Sequence, residues 1–265
     1  MSLFYTKKFY MRDYARTSRS ARCIAPLLID AFNGASTKLN SVIDIGCGRG
    51  VWLDEFKKLG VGLLKGRDGA WVQSADPLVG QSDFVVTNLA QPYREPHKYD
   101  LAMTLEVAEH IDEGGADTFI TSIVELSDTI MFSAAIKGQG GQHHVNERPL
   151  AYWIAKFAAH GFSVYDPIRP RIWGNDDVCW WYRQNIVIFS RDGTAMQKRW
   201  QELHNSAPHI YDMAHPVGFA QKASLANLFS PEEYVGLWAS KLKRKIFGGG
   251  SAVGPAEVPI PASST

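Results

Sequence analysis

A β-branched run, Ser41-Val-Ile-Asp-Ile45, stops abruptly at Gly46-Cys-Gly-Arg-Gly50 and gives way to the helical pattern of Val51–Leu59. No other stretch constrains the fold as tightly. Three glycines at i, i+2 and i+4 permit a turn too sharp for side chains and let a ligand reach bare backbone. A buried strand feeding such a turn and then a helix is the opening unit of a parallel α/β sheet. The loop lacks the GK[ST] of a phosphate loop, and Val51 stands where a dinucleotide fingerprint wants Gly or Ala. Asp44, just before the turn, argues against a bound pyrophosphate.

Downstream, the apolar period keeps switching between two and 3.6. Strands are expected at 61–64, 84–87, 99–105, 129–133, 162–168 and 185–190, with amphipathic helices over 116–124 and 150–158. The fold class is therefore α/β: a three-layer αβα sandwich with a Rossmann-like seven-stranded sheet. The sheet is mostly parallel, and its last strand is antiparallel because no helical pattern separates the final two strands. Residues 1–40 form an N-terminal helical cap, with one or two helices over 8–32 broken near Pro26. Residues 41–192 are the core and 193–247 carry C-terminal helices, the last over 231–247 with the basic run Lys241–Lys245. The Gly-, Ser-, Ala- and Pro-rich stretch 248–265 has little to bury and reads as disordered.

The 265 residues carry 28 Lys plus Arg against 27 Asp plus Glu, a formal charge of +1. That balance gives no general attraction to nucleic acid or anionic membrane. Three widely spaced cysteines without a CxxC pair exclude a disulfide framework and a thiolate zinc site, which points to a reducing cytoplasm. No signal-type or membrane-spanning run is present.

Asp44 followed by GxGxG resembles the first motif of class I S-adenosylmethionine (SAM)-dependent methyltransferases. The resemblance covers roughly residues 10–190. It implies that Asp44, Gly46, Gly48, Gly50 and Leu105 contact the cofactor. It implies that Asp68 holds the ribose hydroxyls, as a carboxylate accepting from both, and that Asn88 meets the adenine edge. Arg22, with Arg19 as second choice, takes the cofactor carboxylate.

A second cluster follows the fourth strand: Glu106-Val-Ala-Glu109-His110. On a helical turn these positions share a face, and two carboxylates beside an imidazole call for a neutralising cation. Oxygen-rich ligation favours Mg²⁺ or Mn²⁺ over zinc. The stretch resembles the E-x-x-E-H of ubiquinone-pathway O-methyltransferases and small-RNA 2′-O-methyltransferases, where it holds Mg²⁺. The RNA enzymes add a loop histidine after the fifth strand. Here the glycine-rich loop 138–147 supplies His143 and His144, and the resemblance of its G-G-x-x-H-V-N-E to bacterial methyltransferases selects His144. The expected metal set is Glu106, Glu109, His110 and His144. Without metal, His144 or His143 is the general base, oriented by Glu106.

The chemistry implied is methyl transfer to a hydroxyl, with the metal lowering the hydroxyl pKa. Between the last two strands, Trp173, Trp180 and Tyr182 lie among Asn, Asp and Arg, a composition suited to a sugar. R-P-R-I-W and W-W-Y-x-Q-N resemble bacterial methyltransferases linked to glycan assembly and, more distantly, actinobacterial enzymes of methylated mannose polysaccharide synthesis. A saccharide acceptor is the leading reading. A phenol or catechol acceptor with a histidine base, and a non-catalytic SAM-binding protein, are the alternatives. The flanking helices are of the kind that cap a cofactor or build a homodimer.

Overall fold

The computed structural model describes residues 7–75, 77, 78, 80, 83–204 and 213–222, with side chains from Tyr14 onward except at 73–75, 221 and 222. Seven strands form one sheet: β1 Ser41–Ile45, β2 Leu63–Asp68, β3 Phe84–Val86, β4 Leu101–Leu105, β5 Thr129–Ser133, β6 Phe162–Tyr165 and β7 Val187–Arg191. Their order is β3-β2-β1-β4-β5-β7-β6. All neighbours pair in parallel except β7, which runs antiparallel to both β5 and β6. The order reverses between β1 and β4, so their carboxyl ends splay around a crevice. Open α/β sheets bind ligands at such a point.

Every residue of β1, β4 and β5 is buried, and the period of two sorts their side chains into separate layers. Val42, Met103, Met131 and Ile188 join one core with Ile24, Leu28, Trp52, Phe56 and Trp200. That layer holds helices α1 (Lys7–Gly34), α2 (Val51–Lys58) and, further along the chain, α7 (Ala195–His204). Ile43, Ile45, Ala102, Ile130 and Phe132 join the other with Phe119, Ile123, Trp153 and Phe157. That second layer belongs to α3 (Ala116–Val124) and α4 (Leu150–Ala158).

Several expected boundaries are corrected. Pro26 does not break α1, which runs unbroken across it. Ile24, Ala25 and Leu28 on either side are fully buried, and their packing outweighs the lost backbone bond. β2 begins two residues late and continues to Asp68, because Lys65 and Arg67 made an alternating strand look like a loop. The segment between β6 and β7 is not a plain hairpin. It holds two short helices, α5 (Arg169–Ile172) and α6 (Trp180–Asn185), the latter taking Asn185 from the expected last strand. One-turn helices leave no readable 3.6-residue period. After α7, a further helix α8 (Pro216–Lys222) follows. The expected helix over 231–247, its basic run and the stretch 248–265 lie outside the described residues. Among the described residues, no helix is long and apolar enough to cross a membrane.

Candidate active site

The crevice at the sheet's reversal point is a cavity lined from both strands. Asp44, Gly46, Cys47, Gly48 and Arg49 come from β1 and its loop, Leu105 and Glu106 from the end of β4. Val51 and Trp52 of α2, Tyr14 and Thr17 of α1, and Trp181 and Tyr182 of α6 complete it. The turn depends on glycine. Gly46 has φ +80°, and a β-carbon there would collide with the Val107 side chain. Gly48 and Gly50 also adopt positive φ.

Two buried carboxyls stand behind the loop. Burial, and then the neighbouring Asp68, pushes Asp44 well above the usual carboxylate range. Asp68 is pushed up to about 6 by burial, against the pull of its hydrogen bonds. It accepts from the Gly48 amide at 2.8 Å and the Gly69 amide at 2.6 Å. Asp68 thus braces the loop from behind, sharing Gly48 with the cavity rather than lining it. Asn88 is exposed and accepts from the Ala90 amide at 3.1 Å, a local turn. Arg22 and Arg19 are exposed on α1 and are absent from the lining. Arg19 lies 3.9 Å from Asp177. In their place α1 presents Tyr14 and Thr17 to the cavity.

Glu106 is a second correction. Its backbone is left-handed, φ +56°, so it does not open a helical turn shared with Glu109 and His110. The Ser133 hydroxyl and carbonyl both accept from its amide, and its carboxylate turns into the cavity. There Asn185 Nδ2 donates to Oε1 and Gln139 Nε2 to Oε2, each at 3.0 Å. Burial pushes its pKa up to about 7, opposed by these same bonds. The bracket continues inward: Gln184 Nε2 donates to Gln139 Oε1, and the His215 amide donates to Gln184 Oε1 at 2.7 Å.

The remaining ligand candidates do converge. Glu109, His110 and His144 offer atoms within 4.8 Å of one another. Glu109 is 0% exposed, and neither of its oxygens has a well-formed hydrogen bond. Burial first, then Glu106, raises its pKa well above normal. His110 lies in a 3-10 turn, Ala108–His110, and its Nδ1 meets the His143 carbonyl at 3.0 Å. That contact assigns the proton to Nδ1 and the lone pair to Nε2. Burial lowers the His110 pKa to about 4, keeping the ring neutral. His144 repeats the device. Its Nδ1 sits 2.7 Å from Glu147 Oε1, while Nε2 lies 3.9 Å from Glu109 Oε1. The His110 and His144 rings meet edge to face at 5.0 Å.

The loop that delivers His144 is tied to the site by backbone. The amides of Val145 and Asn146 donate to the Glu109 carbonyl, and Glu147 Oε2 accepts from Gly138. His143 takes φ +64°, and its backbone carbonyl faces His110 Nδ1. Gly141 passes so close over the His144 ring that a β-carbon would overlap it.

The aromatic candidates separate. Tyr182 lines the cavity, edge-on to Trp52 at 5.4 Å. Trp180 is buried against Trp181 and beneath Gly218. Trp173 packs at 4.6 Å against His215 with the rings tilted, and the His215 Nε2 meets the Trp173 carbonyl. Tyr14, Thr17, Arg49, Trp181, Gln139 and Asn185 were missed in the sequence. For Gln139 and Asn185 no local signal exists, since only the fold brings them to Glu106.

No protein-family model matches the chain. A ubiquinone biosynthesis O-methyltransferase of Neisseria meningitidis serogroup C (strain 053442) is 25% identical over 149 residues. The match spans 52% of this chain and 61% of that relative's length. An amino pentose methyltransferase from Micromonospora echinaspora, solved with SAM, superimposes with a TM-score of 0.50 at 12% identity. It covers 69% of this chain and 96% of that one. The magnesium protoporphyrin IX methyltransferase of Synechocystis PCC 6803, solved with S-adenosylhomocysteine, covers 69% of this chain and 88% of its own, with 20% identity and a TM-score of 0.46. With its glycine loop after β1 and its single antiparallel strand β7, the chain has the Rossmann-like seven-stranded fold of SAM-dependent methyltransferases.

Proposed function

We propose that the chain is a SAM-dependent O-methyltransferase whose acceptor is a saccharide hydroxyl, assisted by a divalent cation held by Glu109, His110 and His144. One observation carries the reading. The cavity at the β1/β4 crossover is lined by the glycine loop and Glu106, and three residues past Glu106 begins the acid–imidazole cluster.

The donor half follows from charge. SAM brings a sulfonium and an ammonium, and Asp44 and Glu106 are carboxyls lifted by burial that a nearby cation relieves. Asp68 holds the loop, and its remaining lone pairs suit ribose hydroxyls. Asn88 stands at the carboxyl end of β3, where an adenine edge is expected.

The cation site passes a chemical test of fit. A buried carboxylate met only by poorly aligned backbone donors, as Glu109 is by its own amide and that of Ala135, is costly unless a positive group meets it. Both imidazoles have Nδ1 engaged and Nε2 as lone-pair nitrogen, the arrangement that orients metal ligands. With Glu106 turned into the donor cavity, the set is one carboxylate and two imidazoles. That composition suits Mn²⁺ better than Mg²⁺, which prefers oxygen. A bound cation supplies acidity to an acceptor hydroxyl. The chain's own residues do the rest: Glu106, fixed by Asn185 and Gln139, sets the boundary between donor and acceptor, and Glu147 and the His143 carbonyl hold the two rings.

The sugar reading is supported at the cavity itself by Tyr182, with Trp181 beside it, since Trp173 and Trp180 pack away from the lining. The M. echinaspora structural neighbour methylates an amino pentose, though at 12% identity it shows only a shared fold. A phenolic acceptor is the second reading, favoured by the ubiquinone-pathway relative. The test is a methyl-transfer screen of oligosaccharides against catechols, with Mn²⁺ or with chelator, read by mass spectrometry. Manganese-dependent methylation of a sugar is expected. Transfer to catechols alone removes the saccharide reading, and full turnover in chelator removes the cation.

A further inference from the structure

The donor's amino-acid end carries an anion, and the residue expected to receive it, Arg22, is exposed away from the cavity. Among the described residues lining the cavity there is one cationic side chain, Arg49. We infer that Arg49, held beneath the Tyr14 ring and with Thr17 in the same cavity wall, receives the α-carboxylate of the methionine part of the donor. This rests on the donor reading above and goes beyond it, by moving the carboxylate from α1 to the glycine loop itself.

Arg49 is the fourth residue of the loop, between two glycines of positive φ, Gly48 and Gly50. Its direction is therefore set by the same turn that brings the backbone close to the ligand. The Leu78 amide donates to its carbonyl at 2.7 Å, tying the loop from outside. The side chain is 6% exposed, and its guanidinium carbon lies 5.4 Å from the Tyr14 ring centre. An arginine stacked on an aromatic face has lost much of its freedom before a ligand arrives, so less is given up when it forms a forked pair with a carboxylate. Thr17 adds a hydroxyl on the same side of the cavity. The next residues, Val51 and Trp52, are the first turn of α2, whose amino end favours an anion.

Charge is then sorted along the cavity. Asp44 and Glu106 face the sulfonium and ammonium, and Arg49 faces the carboxylate. Arg22 sits on the same helix as Tyr14 and Thr17, but not among the lining residues. α1 thus contributes Tyr14 and Thr17 to the donor site while its Arg22 does not.

Decarboxylated SAM tests the assignment, because it keeps the sulfonium and ammonium and lacks only the carboxylate. Titration calorimetry on the full chain is expected to give SAM about 10- to 100-fold tighter binding than decarboxylated SAM. In Arg49→Met, which keeps the stem over Tyr14, the preference falls to within about twofold through loss of SAM affinity alone. Arg49→Lys, with charge but no fork, is expected to retain an intermediate preference. An unchanged preference in Arg49→Met, an equal loss for both ligands, or a preference erased by Arg22→Met instead overturns the inference while leaving the donor reading intact. Failure of the unsubstituted chain to bind SAM at all overturns the donor reading and this inference with it.

Discussion

The two halves of the site are built by opposite means. In the glycine loop, backbone does the positioning: contiguous residues 44–50 turn through three positive-φ glycines, and Asp68 holds one amide from behind. In the acid–imidazole cluster, side chains do it. Glu109 and His110 leave β4 on a short turn, and His144 arrives 34 positions later on a loop held by Glu147 and by the Glu109 carbonyl. A local turn is specified by the residues inside it. A cluster assembled across the fold needs every supporting contact, and it can be dismantled one contact at a time.

The halves come together where Gly46 packs against Val107. Gly46→Val is therefore the most damaging single change. It requires positive φ of a β-branched residue and drives its side chain into Val107, which lies between Glu106 and Glu109. A loss of about 3 kcal/mol or more in urea unfolding is expected, with both donor and metal binding abolished. Retention of metal binding in that variant would show the halves to be independent.

The cluster is broken without the loop by Glu109→Gln. The Glu109 carboxyl has a folded pKa above its unfolded one, so its contribution to stability is present at low pH and lost as pH rises. Glutamine has no such loss. The variant's melting temperature relative to the unsubstituted chain is expected to climb from pH 5 to pH 8, while its response to Mn²⁺ disappears. Methyl transfer falls at least about 100-fold, and SAM affinity stays within about twofold. A fall in stability at pH 8 would mean that backbone donors hold the ionised Glu109 more strongly than burial disfavours it.

Glu147→Gln is milder. The amide keeps the shape but weakens the hold on His144 Nδ1 and on the Gly138 amide. Loss of such outer support typically costs about 10- to 100-fold in metal affinity, and SAM binding should not respond. Isothermal titration with Mn²⁺ measures it, and an unchanged affinity would detach His144 from the ligand set.

The same contrast governs what could be read in advance. The seven-stranded, mostly parallel sheet and the glycine loop were legible because period and glycine spacing are local. His144 was selected over His143 by a resemblance in H-V-N-E. Glu106 was grouped with Glu109 and His110 because ideal helical spacing places them together, and a single left-handed residue undoes that geometry. Gln139 and Asn185 had no signature, since each is an ordinary amide until the fold sets it against Glu106. Arg49 was in plain view inside the motif, but attention to its glycines and to an arginine on α1 hid the one cationic residue among the described lining. The helices α5 and α6 were too short to show a period, which is why the segment was read only as a connection between two antiparallel strands.

The smallest effect sharpens the comparison most, because it probes a loop support without altering the loop. Asp68 has a folded pKa of about 6, raised mainly by burial above the ordinary 3.8. For stability, the sign is loss as pH climbs through 6, because the folded chain holds a proton that the unfolded chain has given up. For ligand binding the sign reverses. Ribose hydroxyls donate, so the ionised carboxylate is the better acceptor, and nucleoside affinity should fall as Asp68 takes its proton. Between pH 7 and pH 5 that amounts to about tenfold weaker S-adenosylhomocysteine binding. The melting-temperature gain from saturating ligand should shrink over the same interval. Asp68→Asn cannot titrate, so both pH slopes should flatten, with affinity at pH 7 reduced toward the acidic value of the unsubstituted chain. A profile equally steep in Asp68→Asn would assign the pH response to another group and leave Asp68 as a brace for Gly48 alone.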